Sequence, residues 1–270
     1  MGDAVNAVVN PAAPHAFDGL ADRYTALMAT PWQRLRHRLI TANLDRHLTA
    51  AHRSWLDVGA GDGLLAADLA AQGRRVTLLE PAADLRAAAR QRLTAAGLIE
   101  RCDIVAGTVD DVPRLVARRA PLGLSLHNVL EYVPDAVGAL AACLRPLPSG
   151  CLVSVVVGNP YGQLLAAAAR GADPADLLDQ LRSGTLTVGL DGHRFTRPAL
   201  PLEELAGLMR AAGLRVLGSY GVRVLNDVLA AAPSGSGADP DAVFALDLAA
   251  GQDPVLSRTG RYLQLVGQRP

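Results

Sequence analysis

A short apolar run that ends in three alternating glycines constrains the fold of this chain more than any other segment. The run is Trp55–Val58, and the glycines follow at positions 59, 61 and 63. Glycine makes a tight turn without a Cβ clash, so a ligand can lie directly against the backbone. A helix predicted at Leu64–Gln72 points its free N–H groups at the same place. The pattern is typical of a strand, turn and helix at the ligand-binding edge of an open α/β sheet.

Strand-like and helix-like segments alternate after this turn. Strands are predicted at Ser54–Val58, Arg75–Leu79, Asp103–Ala106, Leu122–Leu126, Cys151–Val157 and Arg261–Val266, with a strand pair that bends at Gly221 over Leu214–Val224. Helices are predicted at Leu64–Gln72, Asp84–Ala96, Asp135–Leu144, Pro201–Ala212 and Asp241–Ala250. This alternation implies right-handed crossovers. We therefore predict an α/β fold with a doubly wound, mostly parallel sheet covered by helices on both faces.

The domain organisation follows from the segments that break this rhythm. Residues 1–14 are small and rich in proline and alanine, and they predict a disordered leader. Residues 15–270 are expected to form a single domain. It begins with two amphipathic helices within 15–48, separated at Pro31. An insertion at 163–200 is expected to hold two helices and a polar loop that contains Gly184, Gly189 and His193.

Composition excludes several classes of protein. Half of the 270 residues are hydrophobic, which excludes global disorder, and 26 cationic against 26 acidic residues disfavour a strongly basic nucleic-acid scaffold. Every cation is arginine, which excludes lysine Schiff-base chemistry. Cys102, Cys143 and Cys151 form neither a zinc motif nor a disulfide framework, and they indicate a reducing cytoplasm. We expect no metal and no membrane-spanning segment.

Acidic residues follow three successive predicted strands. Asp57 precedes the glycine turn, Glu80 comes 21 positions after Gly59, and Asp110-Asp111 follow the third strand. The glycine spacing differs from the dinucleotide pattern, and Asp57 favours a ligand with positive charge, such as an amine or a sulfonium. A carboxylate at Glu80 can accept both ribose hydroxyls, and either acid of the later pair can accept an adenine amino group while Val109 packs on the ring. Each feature alone is equally compatible with a structural turn, a helix cap or a solvated loop.

As a set, these segments resemble the motif series of the class I S-adenosylmethionine-dependent methyltransferases. The matching segments are Asp57–Gly63, Glu80, Asp110-Asp111, His127–Val133 and Leu144–Pro146. The resemblance implies a Rossmann-like, seven-stranded sheet with one antiparallel strand near its edge. One departure is Leu147–Gly150, where the family usually has two adjacent glycines after Arg-Pro.

The same resemblance implies a cofactor, S-adenosyl-L-methionine, and assigns residues to it. The turn at Gly59, Ala60 and Gly61 would hold the methionine part behind Asp57, and Glu80 would hold the ribose. Val109 and Asp110 would hold the adenine. His127 begins the segment that usually lines the face of methyl transfer.

The C-terminal half resembles, more narrowly, the bacterial tRNA methyltransferases that esterify 5-carboxymethoxyuridine at the wobble position. The segments are Gly158–Gly162, Tyr220–Asp227 and Thr259–Tyr262, and the opening segment Phe17–Tyr24 resembles the same family. The resemblance implies that a carboxylate is methylated. That family carries a basic run where this chain has the nearly uncharged Leu181–His193. Because phosphate contacts supply much of the affinity for nucleic acid, a small-molecule acid stays beside tRNA as a candidate acceptor.

Candidate residues for methyl transfer follow from this likeness. A carboxylate is ionised at neutral pH, so its methylation requires no general base and no metal. Arg223 is expected to bind it through a planar guanidinium, with Tyr220 and Tyr161 as further hydrogen-bond donors. If the acceptor is a hydroxyl or an amine, His127 is the expected base. Each residue also has a structural alternative. Arg223 would form an ion pair with Asp227, Tyr161 and Tyr220 would lie at the edge of the core, and His127 would be a packed residue at the end of its strand.

The role of the N-terminal helices and the activity of the whole chain also have more than one interpretation. By the family likeness and their amphipathic pattern, the helices within 15–48 are expected to close over the cofactor as a lid, with Tyr24 and Arg36 facing it; the alternative is packing on the sheet edge. A non-catalytic cofactor-binding module and an unrelated nucleotide binder compete with the enzyme. The nucleotide binder is the least favoured, because the glycine spacing of this chain does not match the dinucleotide pattern and the chain has no lysine to bind a phosphate. The sequence leaves the acceptor and the oligomeric state open.

Overall fold

The computed structural model describes residues 19–190, 193–231 and 239–270. The expected leader at 1–14 lies outside these ranges. Within them, no helix combines the length and the apolar character needed to cross a bilayer.

The described residues contain nine strands, of which seven form the main sheet. The strands are β1 (Ser54–Val58), β2 (Arg75–Glu80), β3 (Cys102–Ala106), β4 (Gly123–His127), β5 (Leu152–Gly158), β6 (Thr185–Leu190), β7 (His193–Pro198), β8 (Arg215–Val222) and β9 (Tyr262–Gln268). The main sheet has the order β3-β2-β1-β4-β5-β9-β8, and β9 runs antiparallel to both of its neighbours. The predicted α/β fold with one antiparallel strand near the edge is confirmed. The strand pair predicted at Leu214–Val224 is wrong, because one strand, β8, carries a bulge between Val216 and Gly218.

Helices cover both faces of the sheet. They are α1 (Ala21–Met28), α2 (Pro31–Asp45), α3 (Leu64–Ala71), α4 (Ala83–Ala95), α5 (Val112–Arg119), α6 (Ala136–Leu144), α7 (Pro160–Ala169), α8 (Pro174–Ser183), α9 (Leu202–Ala211), α10 (Asn226–Ala231) and α11 (Pro240–Gln252). Proline in the first turn of α2 supports the predicted break at Pro31, because a missing N–H costs nothing there. The short helices α5 and α10 were not predicted.

The core lies on both faces because successive strand residues point in opposite directions. Trp55 on β1 packs with Leu65 and Leu69 of α3 on one face. Leu56, the next residue, packs on the other face in a cluster that includes Leu140 of α6. Both faces of the central strands are therefore buried, as in a sheet covered on two sides.

The insertion contains a hairpin where the sequence predicts a polar loop. Strands β6 and β7 pair antiparallel, from Thr185 opposite Pro198 to Leu190 opposite His193. Leu186 is buried, and one of its methyl carbons would lie 3.2 Å from a Cβ built on Gly158. The alternation of threonine with leucine and valine before an Asp-Gly pair is the hairpin signal that an interpretation as loop neglects. The hairpin is thus anchored at the carboxyl end of β5.

Candidate active site

The glycine turn after β1 requires glycine at each of its three positions. Gly59, Gly61 and Gly63 have φ angles of +64°, +56° and +76°, a region that other residues rarely adopt. A Cβ on Gly59 would also lie 2.6 Å from a methyl carbon of Val129. The N–H groups of Gly59 and Ala60 donate to the carbonyl of Leu79 at 2.8 and 3.2 Å. These hydrogen bonds therefore fix the turn against the end of β2, and no side chain of the three glycines covers its backbone.

Asp57 is a buried carboxyl at the end of β1. Its Oδ1 accepts a hydrogen bond from Ser125 Oγ at 2.5 Å, and Ser125 Oγ accepts one from Trp55 Nε1 at 2.9 Å. Burial raises the pKa of Asp57 to about 7, and the charge of Glu80 acts in the same direction, against the lowering effect of the Ser125 bond. A positively charged ligand beside Asp57 would favour its ionised form.

Glu80 connects the turn after β1 with the turn after β2. Its Oε2 accepts the N–H of Gly61 at 2.8 Å, and its Oε1 accepts the N–H of Ala82 at 3.0 Å. Burial raises the pKa of Glu80, although these two bonds lower it. Each oxygen keeps a second lone pair for a ligand.

The two acids after β3 have different surroundings. Asp111 caps the turn, since its Oδ2 accepts the N–H of Thr108 at 3.0 Å and its Oδ1 accepts from Arg114 at 2.9 Å. Asp110 is exposed, and Val109 beside it is buried. Of the two acids that the sequence leaves open, Asp110 therefore has the carboxylate that is accessible.

These positions share one edge of the sheet. The parallel register pairs Val58 with Leu79 and Glu80 with Ala106, so the carboxyl ends of β1, β2 and β3 are level. The structure thus brings together the predicted residues Asp57, Gly59, Ala60, Gly61, Glu80, Val109 and Asp110.

The first helix lies over the glycine turn. The N–H of Ala21 donates to Asp84 Oδ2 at 3.0 Å, which fixes the start of α1 on α4. The Tyr24 hydroxyl would lie 2.8 Å from a Cβ built on Gly61. Burial and the charge of Asp62 raise the pKa of Tyr24, so the phenol stays neutral.

Arg36 on α2 lies at the carboxyl end of β4. Its Nη2 donates to Asn128 Oδ1, its Nη1 donates to Gln33 at 3.0 Å, and its Cζ lies 4.8 Å from the ring centroid of Tyr262. The Nε of Arg36 is buried and has no hydrogen-bond partner among the described residues. One donor of this guanidinium is therefore available to a ligand.

Glu131 is a site residue that the sequence analysis did not single out. Its Oε1 accepts the N–H of Gly158 at 2.5 Å and Asn128 Nδ2 at 3.1 Å. Its Oε2 is buried without a partner in the described part of the chain, and burial raises the pKa of Glu131. An acid within the otherwise apolar segment Val129–Val133 was the available signal.

His127 lies at the end of β4 but is poorly suited to act as a base. Its Nε2 is 2.8 Å from Ser154 Oγ. Burial lowers its pKa to about 3, and the charges of Arg36 and His37 act in the same direction. A histidine with so low a pKa is neutral at pH 7 and binds a proton only weakly.

The hydroxyl of Tyr220 lies away from this edge, so its contacts do not support the predicted role in methyl transfer. Its hydroxyl lies 2.6 Å from His47 Nε2, just beyond the end of α2. Arg36 lies eleven residues before His47, about 15 Å along a helix axis. The residue is on a strand that reaches the edge, but its side chain points back toward the opposite end of the sheet.

Arg223 forms the ion pair that the sequence kept as the alternative. Its Nη2 contacts Asp227 Oδ1, and the two side chains are 11% and 13% exposed. Asp227 therefore occupies one terminal nitrogen of this guanidinium, while the Nε of Arg223 is buried and has no hydrogen-bond partner among the described residues. Tyr161, in the first turn of α7, is 54% exposed, at the carboxyl end of β5.

Comparisons with known proteins address the family. A methyltransferase-domain family model matches residues 56–155. The chain is 30% identical over 212 residues to the ubiquinone biosynthesis O-methyltransferase of Xylella fastidiosa (strain 9a5c), which covers 75% of this chain and 80% of that protein. The chain belongs to the class I S-adenosylmethionine-dependent methyltransferases. It is an enzyme of this class, and S-adenosyl-L-methionine is its methyl donor.

Two further similarities concern a tRNA enzyme and the fold. The tRNA 5-carboxymethoxyuridine methyltransferase of Escherichia coli O157:H7 is 28% identical over 219 residues, which is 79% of this methyltransferase and 80% of that one. The CcbJ methyltransferase of Streptomyces caelestis superposes with a TM-score of 0.61 at 15% identity, covering 95% of this chain and 99% of that chain. The second similarity shows a shared fold. The curated relatives act on different acceptors by name, so the acceptor must be argued from the site.

Proposed function

We propose that this methyltransferase esterifies a carboxylate acceptor. The observation that carries the proposal is His127, whose pKa is lowered to about 3 at the place where a base for a neutral acceptor is expected. A carboxylate needs no such base, because it is ionised at neutral pH. The similarity to tRNA 5-carboxymethoxyuridine methyltransferases supports the same acceptor chemistry.

The residues at the carboxyl ends of β1 to β3 fit the methyl donor. When bound, S-adenosylmethionine supplies a methyl carbon that its sulfonium makes electrophilic. Asp57 and Glu80 are buried acids with raised pKa values, which a positively charged ligand stabilises in the ionised form. Arg36 offers its unpartnered Nε to the carboxylate of the methionine part.

The remaining assignments are the ones that the family resemblance implies. The backbone of Gly59, Ala60 and Gly61 holds the methionine part, and Glu80 accepts the ribose hydroxyls. Val109 packs on the adenine and Asp110 accepts from its amino group, while His127 borders the methyl group. The helices α1 and α2 would close over this cleft as a lid, with Tyr24 and Arg36 facing the cofactor.

The acceptor would enter beside β4 and β5. The donor residues lie at β1, β2 and β3, which leaves the ends of β4, β5, β9 and β8 on the other half of the edge. Tyr161 and the hairpin of β6 and β7 border this half. An acceptor carboxylate on a tRNA base and one on a small metabolite would present the same chemistry here.

Methyl transfer from a donor with a tritiated methyl group tests the proposal. The purified enzyme is incubated with bulk tRNA that lacks its carboxyl esters and, separately, with a panel of small carboxylic acids. Alkali releases labelled methanol from a methyl ester but leaves methyl ethers and methylamines intact. We expect alkali-labile label in one of the two arms, which also distinguishes tRNA from a metabolite. Label that is wholly alkali-stable would contradict the proposal.

A second function, methylation of a hydroxyl, is favoured by Glu131. Its Oε2 is buried without a partner in the described ranges and its pKa is raised, as in a general base. The similarity to ubiquinone biosynthesis O-methyltransferases is compatible with it. In that case Glu131→Gln should abolish turnover with a hydroxyl acceptor, and the label should resist alkali. If the acceptor is a carboxylate, Glu131→Gln should have the same dependence of kcat on pH as the unmodified enzyme.

A further inference from the structure

Arg261 is a partly buried cation that forms no ion pair with an acid among the described residues. It directly precedes β9, where its N–H donates to the carbonyl of Arg223 at 3.0 Å and its carbonyl accepts the N–H of Asn159 at 3.1 Å. Its guanidinium makes no hydrogen bond or ion pair with any other residue in 19–190, 193–231 or 239–270. Arginine is seldom withdrawn from water without a partner, because desolvating a charge is costly.

Charged side chains of both signs lie near Arg261. Burial lowers the pKa of Arg261, and the nearby charges of Arg223 and Arg170 lower it further. Tyr262 and Asp227 act in the opposite direction, but the Oδ1 of Asp227 is taken by Arg223. An anion bound here would therefore gain charge-assisted hydrogen bonds and relieve the repulsion among three guanidinium groups.

The backbone around Arg261 is fixed by close packing. A Cβ built on Gly162, in the first turn of α7, would lie 2.7 Å from the Cα of Arg261 and 2.1 Å from the carbonyl oxygen of Gly260. Asn159 Nδ2 also donates to the carbonyl of Gly260 at 2.8 Å. The backbone that carries the Arg261 side chain is therefore positioned before a ligand arrives, which reduces the entropy lost on binding.

The position of Arg261 is on the acceptor half of the edge. The register pairs Gly158 of β5 with Tyr262, and Tyr262 with Val222 of β8. Strands lie about 4.8 Å apart, so β9 is about 10 Å from β4, within the span of a small acceptor molecule. Tyr262, the next residue, contacts Arg36.

We propose that Arg261 binds the carboxylate of the methyl acceptor, with Arg170 and Arg223 adding positive charge around it. The inference rests on the proposed function and names the residue that recognises its substrate class. A planar guanidinium binds a carboxylate through two parallel hydrogen bonds and so orients it. Each carboxylate oxygen keeps a lone pair that can attack the methyl carbon. Arg223, paired with Asp227, supports this site rather than forming it.

Arg261→Ala and the charge-conserving Arg261→Lys test the assignment. We expect the KM for the carboxylate acceptor to rise about 10- to 100-fold in Arg261→Ala and less in Arg261→Lys. Calorimetric affinity for S-adenosylhomocysteine should stay as in the unmodified enzyme, which shows that the variants fold. Arg258→Ala is the matched control, because Arg258 is exposed and pairs with Glu203. It should leave the KM unchanged.

The failure of this inference can be told apart from the failure of the proposed function. If the enzyme esterifies a carboxylate and Arg261→Ala leaves its KM unchanged, the Arg261 site is refuted and the proposed function stands. If no carboxylate is methylated, crystals of the enzyme with S-adenosylhomocysteine are soaked in selenate, whose anomalous scattering locates it. A selenate on Arg261 that is lost in Arg261→Lys and Arg261→Ala would support an anion site independent of the reaction. No selenate at Arg261 would overturn it.

Discussion

Tyr24 in α1 lies against Gly61 in the turn after β1, so that a Cβ on Gly61 would be 2.8 Å from the tyrosine hydroxyl. The N–H of the same glycine donates to Glu80 at 2.8 Å. Gly61 is therefore enclosed by the N-terminal helix on one side and by the acid at the end of β2 on the other. A substitution of Gly61 by a slightly larger residue therefore tests whether the contact between α1 and the glycine turn matters for cofactor binding.

We predict that Gly61→Ala weakens S-adenosylhomocysteine binding about tenfold or more, because the new methyl group displaces Tyr24 and strains a residue with φ of +56°. The control is Gly97→Ala, where φ is +68° and a Cβ would have open space. It should lose about 1 kcal/mol of stability from backbone strain, with unchanged affinity. Calorimetry measures the affinity. In a Tyr24→Ala background, Gly61→Ala should have a smaller effect, and an equal effect would mean that the clash is irrelevant.

The raised pKa of Asp57 predicts a pH dependence of stability. A carboxyl whose pKa is about 7 when folded and 3.8 when unfolded binds its proton more tightly in the folded state. Its contribution to stability is therefore complete at low pH, falls as pH rises from about 4 to about 7, and is constant above that range. Asp57→Asn should remove this loss, which is on the order of 4 kcal/mol.

Denaturant unfolding of both proteins at acidic and neutral pH measures the effect. Burial raises the pKa values of Glu80 and Glu131 as well, so the difference between the enzyme and Asp57→Asn isolates Asp57. Identical slopes in the two proteins would show that Asp57 titrates normally. Ser125→Ala should steepen the dependence, since it removes the bond that lowers the pKa of Asp57.

The proposed binding of a positively charged donor by Asp57 predicts proton release. At pH 6 the carboxyl is largely protonated in the free enzyme, and a sulfonium nearby favours ionisation. Calorimetric titration of S-adenosylmethionine in buffers of different ionisation enthalpy should detect release of up to one proton, and Asp57→Asn should abolish most of it. Equal release in the variant would assign the proton to another group.

His127 should be dispensable as a base. With a pKa of about 3, it stays neutral across the working pH range. We expect His127→Asn to lower kcat less than about tenfold, at saturating donor, without changing the shape of the kcat–pH profile. A loss of about a thousandfold together with a vanished acidic limb would make His127 the base and favour a hydroxyl acceptor.

Two glycines outside the site allow a matched test of packing. A Cβ on Gly123 of β4 would lie 1.9 Å from Cε3 of the buried Trp55, whereas one on Gly207 of α9 has open space. Gly123→Ala should destabilise the enzyme by about 1–3 kcal/mol through overpacking. Gly207→Ala should stabilise it by about 0.5–1 kcal/mol, because glycine is a poor helix former. Thermal and denaturant unfolding measure both, and a mild Gly123→Ala would mean that Trp55 can move.

The sequence allowed the donor half of the site to be predicted because its signals are local. The strand, the glycine turn and the helix from Ser54 to Ala71 follow one another directly, and Glu80 ends the next strand. Parallel strands with level carboxyl ends then bring Asp57, Glu80 and Asp110 to one edge. The acceptor half has no such local pattern. Arg36 meets Asn128 across 92 positions, and nothing within either segment specifies the contact.

By itself, the sequence determined the α/β class, the strand that carries the glycine turn and the three acids along one edge, since periodicity and turn chemistry act over a few residues. Only the tertiary structure decided which side chains are available there. Tyr220 and Arg223 lie on a predicted strand and its end, but His47 contacts the hydroxyl of Tyr220, and Asp227 contacts one terminal nitrogen of Arg223. The Oε2 of Glu131 is buried without a partner among the described residues, and the guanidinium of Arg261 makes no hydrogen bond to any of them. Such pairing depends on segments that folding brings together from distant parts of the chain, which no local pattern encodes.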